Sequence, residues 1–389
     1  MPTAVISPGK VLSGQVQPPP SKSMGHRILI ASALAGGPLP EGLGDSQDIR
    51  ATRACLSALG EGGMDLPVLD CGESGSTLRF FIPIALALRG GGVFLGRGRL
   101  MERPQGVYRE LFLPRGIRWE QSGDRLTLQG RLAAGKFSLP GGVSSQFVTG
   151  LLFALPLVEG ESELVLTSPL ESRGYVDMTL AVLSGFGVEA ENQDYQRFRV
   201  PGGQRYAPRA MEAEGDWSQA AFWYAARFLG HRVEVLGLSR DSVQGDRVVL
   251  EYMERLRGPG EVSLDLSGCP DLAPPLAAMA AVREGITRFT GAARLRMKES
   301  DRLSSIAAAL TALGVRAEEG PDILTVQGQR ALTGGTVDSC SDHRIAMMAA
   351  VLATRCQEPV TLTQPQCVEK SYPDFWMHYR MLGGEVYVI

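Results

Sequence analysis

The chain has 389 residues, 44% of them apolar and 21% charged, with a formal net charge of −3. That length accommodates about two domains with ordinary hydrophobic cores, and the charge balance excludes a broadly basic nucleic-acid surface while permitting local cationic pockets. Residues 1–14 lack the basic start and apolar block of a secretory signal, and the most apolar runs, 80–88 and 147–158, are shorter than the roughly 18–20 residues that span a bilayer.

Pro18-Pro19-Pro20 cannot continue a sheet ladder and marks a candidate domain crossing. Ser21-Lys22-Ser23-Met24-Gly25-His26-Arg27 follows and opens an apolar run over 28–34. A helix starting here turns free backbone N–H groups, Lys22 and Arg27 towards one region, which suits an anion; an N-cap with solvated charges is the plainer reading. Gly72-Glu73-Ser74-Gly75-Ser76-Thr77-Leu78-Arg79 precedes a second apolar helix. Its small residues let a ligand approach the backbone, but it lacks the Gly-Lys-Ser/Thr ending of a Walker loop. Arg97, Arg99 and Arg103 then fall close together in a Gly-rich loop, where they either clamp a phosphate or face water.

Gly141-Gly142-Val143-Ser144-Ser145-Gln146-Phe147 puts two hydroxyls and an amide at another helix start, more neutral donors than capping requires. Residues 200–213 are rich in Gly, Pro and Arg and precede a fresh helix start, so the second domain crossing is expected there. Asp271 lies in Gly-Cys-Pro-Asp-Leu-Ala-Pro-Pro, where capping the next helix would account for it. Lys298-Glu299-Ser300-Asp301-Arg302 is expected to begin the helix that closes at Gly314. On that helix Lys298, Glu299 and Arg302 share a face, and Asp301 falls opposite as a first-turn dipole partner. An intrahelical salt bridge is the bland alternative to a functional role. Ser341-Asp342-His343-Arg344 opens one more apolar helix, and Lys370 sits in Val-Glu-Lys-Ser-Tyr-Pro with no local reason for its charge.

Apolar segments that close on glycine and pass into a strand-like run recur at 55–60, 108–116, 180–187, 252–258, 306–314 and 379–383. Adding 198, 198 and 196 to positions 60, 116 and 187 gives 258, 314 and 383, so the chain reads as two halves of three similar units. Strands are expected near 126–128, 163–166, 198–200, 233–236, 323–326 and 360–362, in alternation with helices, which makes the class α/β. Of 39 basic residues only five are Lys, leaving 34 Arg, and three of the five (22, 298, 370) fall in the polar motifs above. Six scattered cysteines without a Cys-x-x-Cys pair, and four histidines without ligand spacing, argue for free thiols and no metal.

Together these motifs resemble the 5-enolpyruvylshikimate-3-phosphate synthase family, in order from Ser21 to Lys370. The resemblance implies a two-domain inside-out α/β barrel, each domain of three βαβαββ-like repeats. Residues 21–213 would form the N-terminal domain, residues 1–20 with 214–389 the C-terminal one, and the active site the cleft between them. It implies a cytoplasmic, monomeric transferase that needs no cofactor, binds neither nucleic acid nor membrane, and acts on phosphoenolpyruvate and 3-phosphoshikimate. Carried over by position, 3-phosphoshikimate would be held by Lys22, Ser23, Arg27, Ser144, Ser145, Gln146, Ser172, Asp271 and Lys298. Phosphoenolpyruvate would be held by Lys22, Gly75, Arg103, Gln146, Arg302, Arg344 and Lys370. Asp271 is the candidate base, and Glu299 or Lys22 the candidate acid.

Three positions depart from the family's commonest pattern: Glu73 and Arg294 stand where Asn is frequent, and Phe80 where Pro is. The rival readings are the sister enzyme that transfers enolpyruvate to UDP-N-acetylglucosamine, and a non-catalytic anion-binding protein on the same scaffold. The sister family usually carries a Cys in the loop corresponding to 93–103 and Lys-Asn near the start; this chain has Lys22-Ser23 and no Cys between Cys71 and Cys269. The paired Asp271 and Glu299 argue against a mere binder.

Overall fold

Serine and aspartate side chains start the site-bearing helices by accepting backbone N–H groups that the first turn leaves free. In the computed structural model, which describes residues 2–388, Ser21 accepts from Met24, Ser46 from Ile49, Ser74 from Thr77 and Ser144 from Gln146. Asp216, Asp301 and Asp342 do the same for Ser218, Ser304 and Arg344.

Strands β1 (Thr3–Ile6) and β2 (Ser13–Val16) come first. Residues 20–213 then form one compact unit. Its helices are α1 (Lys22–Leu34), α2 (Gln47–Gly60), α3 (Gly75–Arg89), α4 (Gly106–Phe112), α5 (Ser145–Ala154) and α6 (Arg173–Gly185). Its strands are β3 (Val68–Asp70), β4 (Gly91–Leu95), β5 (Arg118–Ser122), β6 (Arg125–Gln129), β7 (Lys136–Leu139), β8 (Ser162–Leu166), β9 (Glu191–Gln193) and β10 (Arg197–Val200). They make two four-stranded sheets of order β3-β4-β6-β5 and β7-β8-β10-β9. In each sheet the first pair is parallel, joined through α3 or α5, and the other pairs are antiparallel.

Residues 214–389 with residues 1–19 form the other unit. It contains helices α7 (Trp217–Phe228), α8 (Val249–Leu256), α9 (Ala273–Val282), α10 (Arg302–Ala312), α11 (His343–Ala353) and α12 (Phe375–Met381). Strands β11 (Arg232–Val235), β12 (Gly260–Asp265), β13 (Gly285–Thr290), β14 (Arg316–Glu319), β15 (Leu324–Gln327), β16 (Gly335–Val337), β17 (Val360–Thr363) and β18 (Val386–Val388) complete it. The same sheet pattern returns as β12-β13-β15-β14 and β16-β17-β1-β18. In the second of these, β1 from the chain's start fills the third place, Val5 lying opposite Thr361 and Tyr387. β2 pairs in parallel with β11, so residues 20–213 are inserted within a strand–helix–strand unit completed by α7.

Within each unit the most buried helices are inside and the sheets outside. All eleven residues of α11 are buried, as are nine of ten in α5 and nine of ten in α9. A helix apolar on every side must be covered on every side. The sheets do the covering: β7 and β10 bury alternate residues and expose the rest. This is the inside-out α/β arrangement expected from the resemblance. Of the six repeat-marking glycines, 116, 187, 314 and 383 take the left-handed conformation that ends a helix. Gly60 does not, being the last residue of α2, and after α8 that conformation falls at Gly260 rather than Gly258.

The tightest helix contact is α3 on α5. Tyr108 spans it, its hydroxyl donating to the carbonyl oxygens of Arg79 at 2.9 Å and Phe147 at 3.0 Å. A Cβ added at Gly150 would fall on the Tyr108 hydroxyl and the Arg79 carbonyl, and 3.1 Å from Pro83 Cγ. Gly150→Ala is therefore expected to destabilise the protein by about 1–3 kcal/mol, measured as a lower midpoint in urea unfolding.

Candidate active site

In the 20–213 unit, the start of α1 points Lys22 at the first turn of α2, where its Nζ donates to Asp48 Oδ2 at 2.8 Å. Both side chains are largely buried. Arg27, one turn on, is buried and among the described residues is bound only by neutral acceptors: Thr179 Oγ1, Thr149 Oγ1 and the carbonyl oxygens of Ser23 and Tyr175. It thereby ties α1 to α5 and α6. Burial pulls its pKa down to about 9, so it stays a cation at neutral pH with no carboxylate beside it.

The start of α3 carries a second group. Gln146 accepts from Arg79 Nη1 at 2.7 Å and donates from Nε2 to Ser76 Oγ at 3.0 Å. Arg79 also donates to the Pro104 carbonyl and lies over the Phe147 ring. These bonds fix the Gln146 amide so that it offers an N–H, not its oxygen, to an incoming anion. Of the three loop arginines, Arg97 pairs with Asp70 and Arg99 with Glu102, both exposed. Arg103 differs. Its Nε is buried with no hydrogen-bond partner among the described residues, and its guanidinium rests on Gly75: a Cβ there would meet Nη1 at 2.7 Å. Ser144 caps α5 and Ser145 is buried in its first position. Ser172 precedes α6 in the left-handed region, φ 55°, without capping it. For a residue other than Gly this conformation is strained, and such strain concentrates at functional positions.

In the other unit, three cations converge on Asp271. Lys298 Nζ lies 3.3 Å and Arg302 Nη1 3.0 Å from Oδ1, and Arg344 Nη2 lies 3.2 Å from Oδ2. Burial pushes the Asp271 carboxyl up, but Arg344, Lys298 and Arg302 together hold it well below the usual range. Burial also lowers the Lys298 pKa, against the pull of Asp271. Arg302 is fully buried and donates to two further carboxylates, Glu299 Oε2 at 2.6 Å and Asp342 Oδ2 at 2.9 Å. Burial disfavours its charge, yet Asp342, Glu299 and Asp271 raise its pKa overall. Arg344 is held from behind by Ser218, whose hydroxyl donates to Asp216. Lys370 ends a short turn, Pro365–Lys370, and is buried. Burial raises the neighbouring Cys367 thiol to about 12.

One expectation needs correction, and one plain alternative falls away. Helix α10 begins at Arg302, not Lys298; Asp301 is its N-cap and Lys298 is extended. The Glu299–Arg302 pair therefore forms from a linker, and the shared-face argument fails because Asp301 takes the cap that stops the helix reaching further back. Asp271 does not cap α9; it sits in the turn Pro270–Leu272, freeing its carboxylate for the cations. Three residues with a positional role were not assigned one from the sequence: Asp48, Ser218 and Asp342. Asp48 is 26 positions from Lys22 and carried no local signal. Of the unusual positions, Phe80 is buried under the Arg27 guanidinium, Arg294 donates to the Ser267 carbonyl, and Glu73 packs on Gly98.

His26 lies among the groups of α1 and is fully buried, with its pKa lowered to about 3 by that burial, then modulated by Asp48, Lys22 and Arg27. The unfolded imidazole takes a proton near 6.5, so between these values the unfolded chain binds more protons. The stabilising contribution is complete above pH 6.5 and falls as pH drops towards 3, by about 1.4 kcal/mol per unit. Between pH 7 and 5 the wild type is expected to lose about 2 kcal/mol more than His26→Asn, read from urea unfolding at both pH values.

A family profile for EPSP synthase (3-phosphoshikimate 1-carboxyvinyltransferase) matches residues 6–378. The chain is 41% identical to the 3-phosphoshikimate 1-carboxyvinyltransferase of Clostridium acetobutylicum, over 97% of this chain and 96% of that one. It is also 41% identical to the Clostridium kluyveri enzyme of the same name, over 98% and 97%. The solved EPSP synthase of Acinetobacter baumannii shares the fold, with a TM-score of 0.80 at 23% identity and complete coverage of both chains. The enolpyruvyl transferase NikO from Streptomyces tendae shares it at 0.76 and 17%, over 100% of this chain and 99% of that one. With this match spanning nearly the whole sequence, the chain belongs to the EPSP synthase (3-phosphoshikimate 1-carboxyvinyltransferase) family.

Proposed function

We propose that this chain transfers the enolpyruvyl group of phosphoenolpyruvate to the 5-hydroxyl of 3-phosphoshikimate and releases phosphate, a step of the shikimate route to aromatic amino acids. Beyond family membership, the observation that carries this reading is the convergence of Lys298, Arg302 and Arg344 on Asp271, with Glu299 on the same guanidinium. A simple anion binder has no use for two carboxylates among its cations. An addition–elimination does.

In the proposed division of roles, Lys22, Ser23, Arg27, Ser144, Ser145, Gln146, Ser172, Asp271 and Lys298 bind 3-phosphoshikimate. Lys22, Gly75, Arg103, Gln146, Arg302, Arg344 and Lys370 bind phosphoenolpyruvate. Arg103 and Arg27, which have no carboxylate partners among the described residues, suit the strongly anionic groups. Asp271 takes the proton of the 5-hydroxyl as its oxygen bonds to C2 of phosphoenolpyruvate, while Glu299 or Lys22 protonates C3. Loss of phosphate from C2, with removal of a proton from C3, restores the double bond. Asp271 is a weak base while three cations hold it; the charges of bound substrates offset those cations and raise its pKa. All six cysteines are free, which fits a reducing cytoplasm, and one chain supplies every assigned group, so a monomer suffices.

Phosphate release is expected with phosphoenolpyruvate plus 3-phosphoshikimate; release only with UDP-N-acetylglucosamine overturns the assignment. Asp271→Asn is expected to lower kcat about 10²–10⁴-fold, and Glu299→Gln within the same range if it is the acid. Gly75→Ala displaces the Arg103 guanidinium and is expected to raise KM for phosphoenolpyruvate about tenfold or more, with KM for 3-phosphoshikimate far less changed.

A further inference from the structure

His26 is one of the most enclosed polar side chains of the 20–213 unit, 1% exposed, yet its Nε2 makes no hydrogen bond among the described residues. A leucine or methionine would occupy such a place without leaving a polar atom unsatisfied. What distinguishes the imidazole is its other nitrogen. Nδ1 lies 2.7 Å from Thr52 Oγ1, Thr52 Oγ1 lies 2.7 Å from Thr77 Oγ1, and the Thr77 hydroxyl donates to Ser74 Oγ at 2.8 Å. Thr52, Thr77 and Ser74 are all buried.

The chain has one direction. Thr77 spends its proton on Ser74, so Thr52 must donate to Thr77, and Thr52 then accepts from an Nδ1–H on His26. Neutral His26 in this tautomer is the head of a relay that ends on Ser74, the N-cap of α3. The first bond also forms a ladder. Lys22 and His26 are one turn apart on α1, Asp48 and Thr52 one turn apart on α2, and the rungs are Lys22–Asp48 and His26–Thr52. The two rungs together join α1 to α2.

Ser74 is followed by the groups on which anion binding at α3 depends. Arg103 rests on Gly75, and Gln146 bonds Ser76. The free N–H groups of the first turn point the same way as the helix start. A small displacement of the cap moves all of them together.

We propose that His26 is a positioning residue for phosphoenolpyruvate, acting through Thr52 and Thr77 on Ser74 and the first turn of α3. This rests on the assignment of phosphoenolpyruvate to Gly75 and Arg103. The imidazole touches no substrate. It holds the start of α3 in register so that Gly75 and the Arg103 guanidinium on it meet the ligand in place.

The test is steady-state kinetics of His26→Leu, His26→Asn, His26→Gln and Thr52→Val, beside the wild type and with thermal melting of each. The Leu variant is expected to raise KM for phosphoenolpyruvate about fivefold or more, with kcat and KM for 3-phosphoshikimate changed less than about twofold. An asparagine places its Nδ2–H where Nδ1–H lies and is expected to restore the wild-type KM, whereas glutamine places its N–H one bond further out and does not. Thr52→Val cuts the relay in the middle and is expected to reproduce the Leu pattern, which keeps the proposal testable where His26→Leu fails to fold. Asparagine behaving like leucine, Thr52→Val leaving KM unchanged, or all constants falling together with melting temperature would each overturn it. The wild type is the control for the reaction: absence of phosphate release there defeats the reaction assignment and this proposal with it, whereas a failed split in an active wild-type background defeats this proposal alone.

Discussion

A guanidinium without water must find acceptors in the protein, and Arg302 finds three carboxylates. They come from separate segments: Asp271 from the turn before α9, Glu299 from the linker before α10, and Asp342 from the cap of α11. One side chain thus fixes three stretches of backbone, and the remaining lone pairs of Asp271 go to Lys298 and Arg344. Three carboxylates face three cations, so the cluster is close to neutral before Lys370 is counted. Burying such a network is costly, and well-packed apolar side chains generally do as well for stability. That cost is consistent with the proposed chemistry, in which the network would hold an acid and a base in fixed places without a net charge to repel either.

The other unit follows a different logic. Arg27 is carried by hydroxyls and carbonyl oxygens alone, and Arg103 by the surface of a glycine. Cations satisfied by neutral groups keep their field for a ligand, since no carboxylate cancels it. The neutral donors of Ser144, Ser145 and Gln146 add hydrogen bonds without adding charge. Under the proposed roles both units bind phosphoenolpyruvate, whereas the two carboxylates proposed for proton transfer, Asp271 and Glu299, both lie in the unit that contains residues 214–388. Lys22 differs from Arg27 and Arg103 in that a largely buried carboxylate, Asp48, sets its position.

The repeat, the α/β class and the strand positions were legible in the sequence because they rest on period and on glycine, both local signals. The scarcity of lysine was informative for the same reason. Lys22, Lys298 and Lys370 are mostly buried in polar clusters, whereas Lys10 and Lys136 make exposed pairs with Glu385 and Glu163. What the residues did not disclose was which charges would be cancelled. Arg97, Arg99 and Arg103 look alike along the chain, and only the fold brings Asp70 to the first and leaves the third on Gly75. The start of α10 was misplaced because Glu299 and Arg302 suit a helix, while the Asp301 cap that excludes Glu299 from it is decided by one side-chain bond to Ser304.

The recurrence of polar motifs at helix starts has a topological cause. Each four-stranded sheet opens with a parallel pair, and a parallel pair requires a crossover helix that begins just beyond the carboxyl end of its first strand. In such units the carboxyl ends of the strands are where loops are free to vary and where unsatisfied N–H groups collect. The four crossover helices α3, α5, α9 and α11 begin, or are immediately preceded, at Gly75, Ser145, Asp271 and His343. Every one of these starts bears or adjoins an assigned residue. Because the helices themselves are buried on all sides, their starts are the places where a helix can carry polar groups at little cost to packing. At these positions the two units differ: Asp271, Glu299 and Asp342 pair with Arg302 in one, whereas Arg27 and Arg103 in the other have no carboxylate partner among the described residues.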